Sequence, residues 1–72
     1  APFPNPVKTN SLLTFGYKDV FSIALFDPLG RLVMSGQGGG YEKIFIDCHP
    51  GVYFLVQEYS LGKYCMNKVF VH

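Results

Sequence analysis

Residues 51–71, reading GVYFLVQEYSLGKYCMNKVFV, most constrain how this 72-residue chain can fold. Residues 52–56 are apolar throughout, Gln57 and Glu58 follow, and Ser60, Leu61 and Gly62 break the run before a second strand-like stretch over residues 64–71. Two β-rich runs separated by a few residues containing Gly predict an antiparallel hairpin. Alternation places Val52, Phe54 and Val56 on one face of the first strand and Tyr53 and Leu55 on the other. Both faces are apolar, so the hairpin is expected centrally in a sheet and not at a solvated edge.

The remainder of the chain repeats the β pattern. Residues 1–6 (APFPNP) hold three prolines, which fix φ and remove donors, so this opening is stiff and non-helical, with Asn5 as a turn former. Residues 11–15 (SLLTF) predict a short strand with Leu13 and Phe15 on one side, punctuated by residues 16–19. Residues 21–26 (FSIALF) alternate with Phe21, Ile23 and Leu25 inward. Asp27-Pro28-Leu29-Gly30 is a type I turn signature, with Asp at the first position, Pro presetting φ at the second and Gly at the fourth. Residues 31–35 return as its partner strand. Residues 36–40 (GQGGG) read as a flexible loop, and residues 41–47 as a strand with Ile44 and Ile46 together and Phe45 opposed. His49-Pro50-Gly51 then turns into the last hairpin.

These signals give six strands, or seven if residues 7–10 pair, at the 8–12-residue spacing of an all-β sandwich. No segment shows a 3.6-residue period. The expected class is all-β, a small Ig-like antiparallel β-sandwich of about seven strands in one domain over residues 1–72, and a small barrel is the alternative. With 49% hydrophobic, 17% aromatic and 15% charged residues the chain is too apolar for disorder. A net charge of +1, with six basic residues scattered among five acids, argues against nucleic acid as a partner. No apolar run approaches the roughly 20 residues of a membrane-spanning helix. No basic-then-apolar leader opens the chain, as expected for a module cut from a longer protein.

Catalytic or metal chemistry finds little to stand on. Cys48, His49, Cys65 and His72 are zinc-ligand types, but adjacent Cys-His followed by wide gaps is not a structural zinc spacing. A Cys–His nucleophilic pair would need an orienting group and an oxyanion site, and neither is signalled. Residues 36–40 lack the Lys-Ser/Thr and the helix that a phosphate loop requires. No cofactor, metal or enzymatic activity is expected. Two thiols permit one disulfide; a ladder closing at residues 60–62 sets Cys65 near Gln57 and away from Cys48, which favours two small buried thiols over a bridge.

The order of punctuation resembles the C-terminal sorting domain (type A) of the type IX secretion system of Bacteroidetes. Pro4, Asn5 and Pro6 match its PNP start, and residues 23–33 (IALFDPLGRLV) are similar to its strand-turn-strand segment around Asp27 and Gly30. Gly51, Val52, Tyr53, Phe54 and Leu55 match its Gly-x-Tyr motif, Gly62 and Lys63 the following hairpin turn, and Lys68, Val69, Phe70 and Val71 its terminal Lys-plus-apolar tail. The resemblance spans essentially the whole chain. One departure is the segment 47–51, which is shorter than the family's, and its Cys48 is not a family feature.

The resemblance implies an address tag at the end of a secreted cargo protein. Its partners would be the type IX translocon and its outer-membrane shuttle protein, a sortase-like cysteine peptidase that cuts ahead of the domain in many members, and the upstream cargo domain in the same chain. The route would run through the periplasm to the outer membrane and cell surface, or into the medium. Pro4, Asn5, Pro6, Gly51, Tyr53, Gly62, Lys63, Lys68, Val69 and Val71 are the expected signal residues. The terminal strand could offer backbone groups for strand addition with Lys68 as a rim charge, and its exposed edge would also let two copies pair. Removing residues 68–72 is then expected to abolish export and leave a soluble remainder. The competing reading is an Ig-like carbohydrate- or protein-binding appendage of a secreted enzyme, which would expose a strip drawn from Tyr17, Tyr41, Tyr59 and Tyr64.

Overall fold

Six strands form the computed structural model, which describes residues 5–14, 20–41, 43–59 and 62–72: β1 (Ser11–Thr14), β2 (Val20–Phe26), β3 (Leu32–Tyr41), β4 (Lys43–Ile46), β5 (Gly51–Tyr59) and β6 (Tyr64–Val71). A four-stranded sheet has the order β3-β2-β5-β6, and β1 pairs β4 in a two-stranded sheet, with every strand pair antiparallel. The architecture is the expected all-β pair of small sheets. Val7, the proposed start of a seventh strand, makes a single parallel bridge to Val71.

The core lies between the two sheets. Leu13, Ile44 and Ile46 come from the small sheet; Val20, Ile23, Leu25, Tyr53, Leu55, Val69 and Val71 come from the large one, and Val7 joins them from outside both. Phe15, expected on the side of Leu13, and the side chain of Phe21, expected inward, lie outside the described residues. β5 runs between β2 and β6, as its two apolar faces predict. Its partner β6 is the sheet's last strand, so only half of the hairpin is central. β6 accordingly alternates between buried Val69 and Val71 and exposed Lys68 and Phe70.

Two expectations need correction. Residues 36–40 are not a loop, because β3 continues through them to Tyr41, which therefore belongs to β3 and not to β4. Ser22 pairs Gln37 but Val20 pairs Tyr41, so β3 carries two extra residues there. Glycine permits such a bulge while pairing continues on either side. β2 is irregular at the same level: Val20 faces Tyr59 and Ser22 faces Glu58, which leaves Phe21 as one extra residue against β5. That bulge resets the alternation and turns Val20 into the core.

Both hairpin turns use the same device. Gly30 N–H donates to Asp27 O at 2.9 Å and Asp27 N–H to Arg31 O at 2.9 Å. Gly62 N–H donates to Tyr59 O at 3.1 Å and Tyr59 N–H to Lys63 O at 2.8 Å. Gly30 sits at φ 84° and Gly62 at φ 73°, which is the left-handed residue that closes a three-residue hairpin loop. At the first turn the Asp27 carboxylate also accepts from Leu29 N–H, Arg31 N–H and Arg31 Nε. Those bonds, led by the Arg31 amide, hold its pKa below the usual carboxylate value. Space is open around both glycines, so alanine there strains only the backbone. Gly30→Ala and Gly62→Ala should each destabilise by about 1–2 kcal/mol. Melting midpoints should then fall by roughly 4–16 °C, and an unchanged midpoint would show that the turn tolerates another conformation.

Candidate functional site

The first and last motifs of the chain meet along the outer edge of β6. The Asn5 carboxamide bridges two positions of the strand: Nδ2 donates to Lys68 O at 2.8 Å, and Oδ1 accepts from Phe70 N–H at 3.0 Å. Two residues on, Val7 N–H donates to Phe70 O at 2.7 Å and His72 N–H donates to Val7 O at 2.9 Å. Thr9 N–H reaches His72 O at 2.9 Å. Asn5 and Pro6 are exposed, whereas the Val7 side chain is completely buried. Pro4 lies outside the described residues.

The terminal motif therefore divides by side-chain direction. Val69 and Val71 point into the core, opposite Tyr53 and Gly51 of β5. Lys68 and Phe70 point outward, with the Lys68 ammonium 5.5 Å from the Phe70 ring centre, a cation–π contact. Around them the outward side chains of the large sheet align in rows. Phe26, Phe54 and Lys68 form one row, Ala24, Val56 and Met66 the next, and Ser22, Glu58 and Tyr64 the third. Val52 lies beside Phe70. Tyr64 and Met66 are 67% and 66% exposed, so the face stays strongly apolar where it is open to solvent.

Its polar end is organised by one carboxylate. Glu58 accepts from Ser22 Oγ at 2.9 Å and from Tyr64 Oη at 3.1 Å. The Tyr64 hydroxyl is held protonated to higher pH than usual by that bond. Gly62 and Lys63 lie at this end, in the exposed β5–β6 turn, a full strand away from Asn5. The residues expected to carry a signal thus divide between two ends of one hairpin.

At the opposite end, Gly51 opens β5 and Tyr53 locks the preceding segment, its hydroxyl donating to His49 O at 2.6 Å. Thr9 Oγ1 donates to Cys48 O at 2.7 Å. Thr9, Asn10, Asp47, Cys48, His49 and Pro50 line a shallow cavity there. Burial pushes the Cys48 thiol's pKa up, which makes it a poor nucleophile. Burial likewise raises the pKa of Tyr53. Cys48 and Cys65 are free and partly buried, and Cys65 faces Gln57 in the register expected.

For the appendage reading, Tyr17 and the side chain of Tyr41 lie outside the described residues. Tyr59 packs against the core and donates to Gln57 Oε1, whereas Tyr64 lies on the outer face, so these two do not share a strip. Val7, Thr9 and Glu58 are not among the expected signal residues, and Phe70 enters only as a member of the terminal motif over residues 68–71. Alternation within KVFV carried the signal for Phe70, but nothing local marks Val7 as a core residue.

No curated protein and no solved structure matches the chain. The family model described as a secretion system C-terminal sorting domain matches residues 1–71. Asn5, Gly51, Tyr53, Lys68, Val69 and Val71 of the resembling motifs lie together along the β5–β6 end that the opening segment closes. The chain belongs to the C-terminal sorting domain family of the type IX secretion system.

Proposed function

We propose that the type IX translocon and its outer-membrane shuttle protein read this domain through the outer face of β6, with Lys68 and Phe70 at its centre. Family membership makes the chain a C-terminal sorting signal attached to an upstream cargo region, and implies export across the outer membrane to the surface or the medium. The observation that carries the finer reading is the division of the terminal motif. Its valines are buried and serve the fold, which leaves Lys68 and Phe70 as the side chains a partner can meet. An apolar face with one cation at its rim suits a partner offering an aromatic or aliphatic patch beside a carboxylate. In the same reading a sortase-like cysteine peptidase cuts ahead of the opening segment and frees the cargo.

A reporter fused ahead of the chain, in a host with type IX machinery, tests this. The double variant Lys68→Glu, Phe70→Ser should lower surface reporter by roughly tenfold, the effect of losing one contact worth about 1.4 kcal/mol. Its purified domain should melt within about 4 °C of the parent, as exposed substitutions do. Undiminished export by a folded double variant would refute the assignment.

A further inference from the structure

The outer edge of β6 is closed over half its length by something that is not quite a strand. Alternation directs the backbone groups of Tyr64, Met66, Lys68, Phe70 and His72 to this edge. In a parallel ladder, each partner residue donates to one outward carbonyl and accepts from the next outward amide, two residues further on. Val7 does this between Phe70 and His72, and Thr9 donates to His72 O at 2.9 Å. The next rung belongs to residue 5, whose backbone would donate to Lys68 O and accept from Phe70 N–H. The Asn5 side chain makes that rung: its Nδ2 and Oδ1 stand where a peptide N–H and C=O would stand, at 2.8 and 3.0 Å. Tyr64 and Met66 carry no backbone partner on this edge among the described residues.

We propose that residues 5–9 are a displaceable plug in a strand-acceptor groove. The groove beneath takes an extended peptide segment that runs parallel to β6, fills the Val7 site with a small β-branched side chain and supplies a peptide group in place of the Asn5 carboxamide. The plug itself is the template for that partner. One side chain, Val7, is completely buried within it, and it is held by one full bridge, the Asn5 pair and two Thr9 hydrogen bonds, to His72 O and Cys48 O. Asn5 and its two hydrogen bonds are exposed to water. A true strand forms the same rung without fixing a side-chain rotamer, and it can continue along the uncovered edge to Met66 and Tyr64, where the plug does not reach. Opening of the plug uncovers this edge and the Val7 site and breaks no strand pair of either sheet, so it precedes global unfolding. The exchange is a property of the fold and stands apart from which secretion component meets the domain.

Two measurements on the full chain decide the matter, with a labelled peptide of residues 3–10 (FPNPVKTN) as the probe. Hydrogen exchange should show the Phe70 and His72 amides opening faster than that of Leu55. In Asn5→Ala, Phe70 exchange should rise by about tenfold or more while Leu55 is unchanged, because two exposed hydrogen bonds are lost locally. That variant should bind the peptide about tenfold more tightly than the parent, and bound peptide should protect the Phe70 amide again. Asn5→Asp keeps the acceptor for Phe70 and loses the donor to Lys68, so it should fall between the two. Leu55 accelerating together with Phe70, or equal peptide affinity for parent and both variants, would overturn the proposal.

Discussion

A chain ending at Asn67 should lose its fold, and with it any reading of its surface. Removal of residues 68–72 deletes Val69 and Val71, which are 0% and 4% exposed, and takes the bridge partner of fully buried Val7. Burial of a valine contributes about 1.5–3 kcal/mol, so the two side chains alone account for about 3–6 kcal/mol. A domain of this length has a total stability of about 4–11 kcal/mol at usual per-residue values. Gly51, Val52, Tyr53 and Phe54 would also lose their partners along the edge of β5. The truncated domain should show no cooperative thermal or urea transition, and its far-UV circular dichroism should lose the β signature. The soluble remainder expected from this truncation would, on this geometry, be an unfolded chain. A cooperative melt close to that of the full chain would show that β6 is dispensable to the core. If truncation unfolds the domain, failure of the truncated signal in an export assay reports folding, and only exposed positions such as Lys68 and Phe70 can report recognition.

Most strands were legible because β alternation and turn chemistry act locally. Asp27, Pro28 and Gly30 specify their hairpin within four residues, and Ile44 and Ile46 share the buried face that alternation gives them. What sequence could not supply were the features that depend on distant partners. The glycines at residues 38–40 have the composition of a loop, yet β2 lies beside them and keeps β3 extended past the bulge. Val20 shares the core face with Ile23 and Leu25 although simple alternation from them would turn it outward, because Phe21 is an extra residue against β5. At the candidate site the motif residues were visible, but their roles were not. A run such as Lys68-Val69-Phe70-Val71 announces alternation without saying which face is buried. Asn5 reads as a turn former between two prolines. Its part as a substitute peptide group appears only when residues 63 and 65 positions away come alongside.

Leu55→Ala should be the most damaging single substitution within the described core. Leu55 is fully buried in β5, directly opposite Leu25 of β2, which is also fully buried, and both strands are interior to the sheet. An interior site with neighbours on both sides collapses poorly around a lost side chain, so the cost should lie in the upper part of the range of about 2–5 kcal/mol. The melting midpoint should fall by roughly 15–30 °C. Leu25→Ala should behave alike, and the double variant should cost less than the sum of the two, because the second truncation enlarges a cavity that already exists. Strict additivity in urea melts would mean that the two side chains do not share one packing site. Export should fail for Leu55→Ala although no partner could touch Leu55, whereas Lys68→Glu, Phe70→Ser should fail with its melting midpoint nearly intact. The two failures separate in one experiment: lowering the temperature restores a signal lost through instability, and it leaves a signal lost through its surface as silent as before.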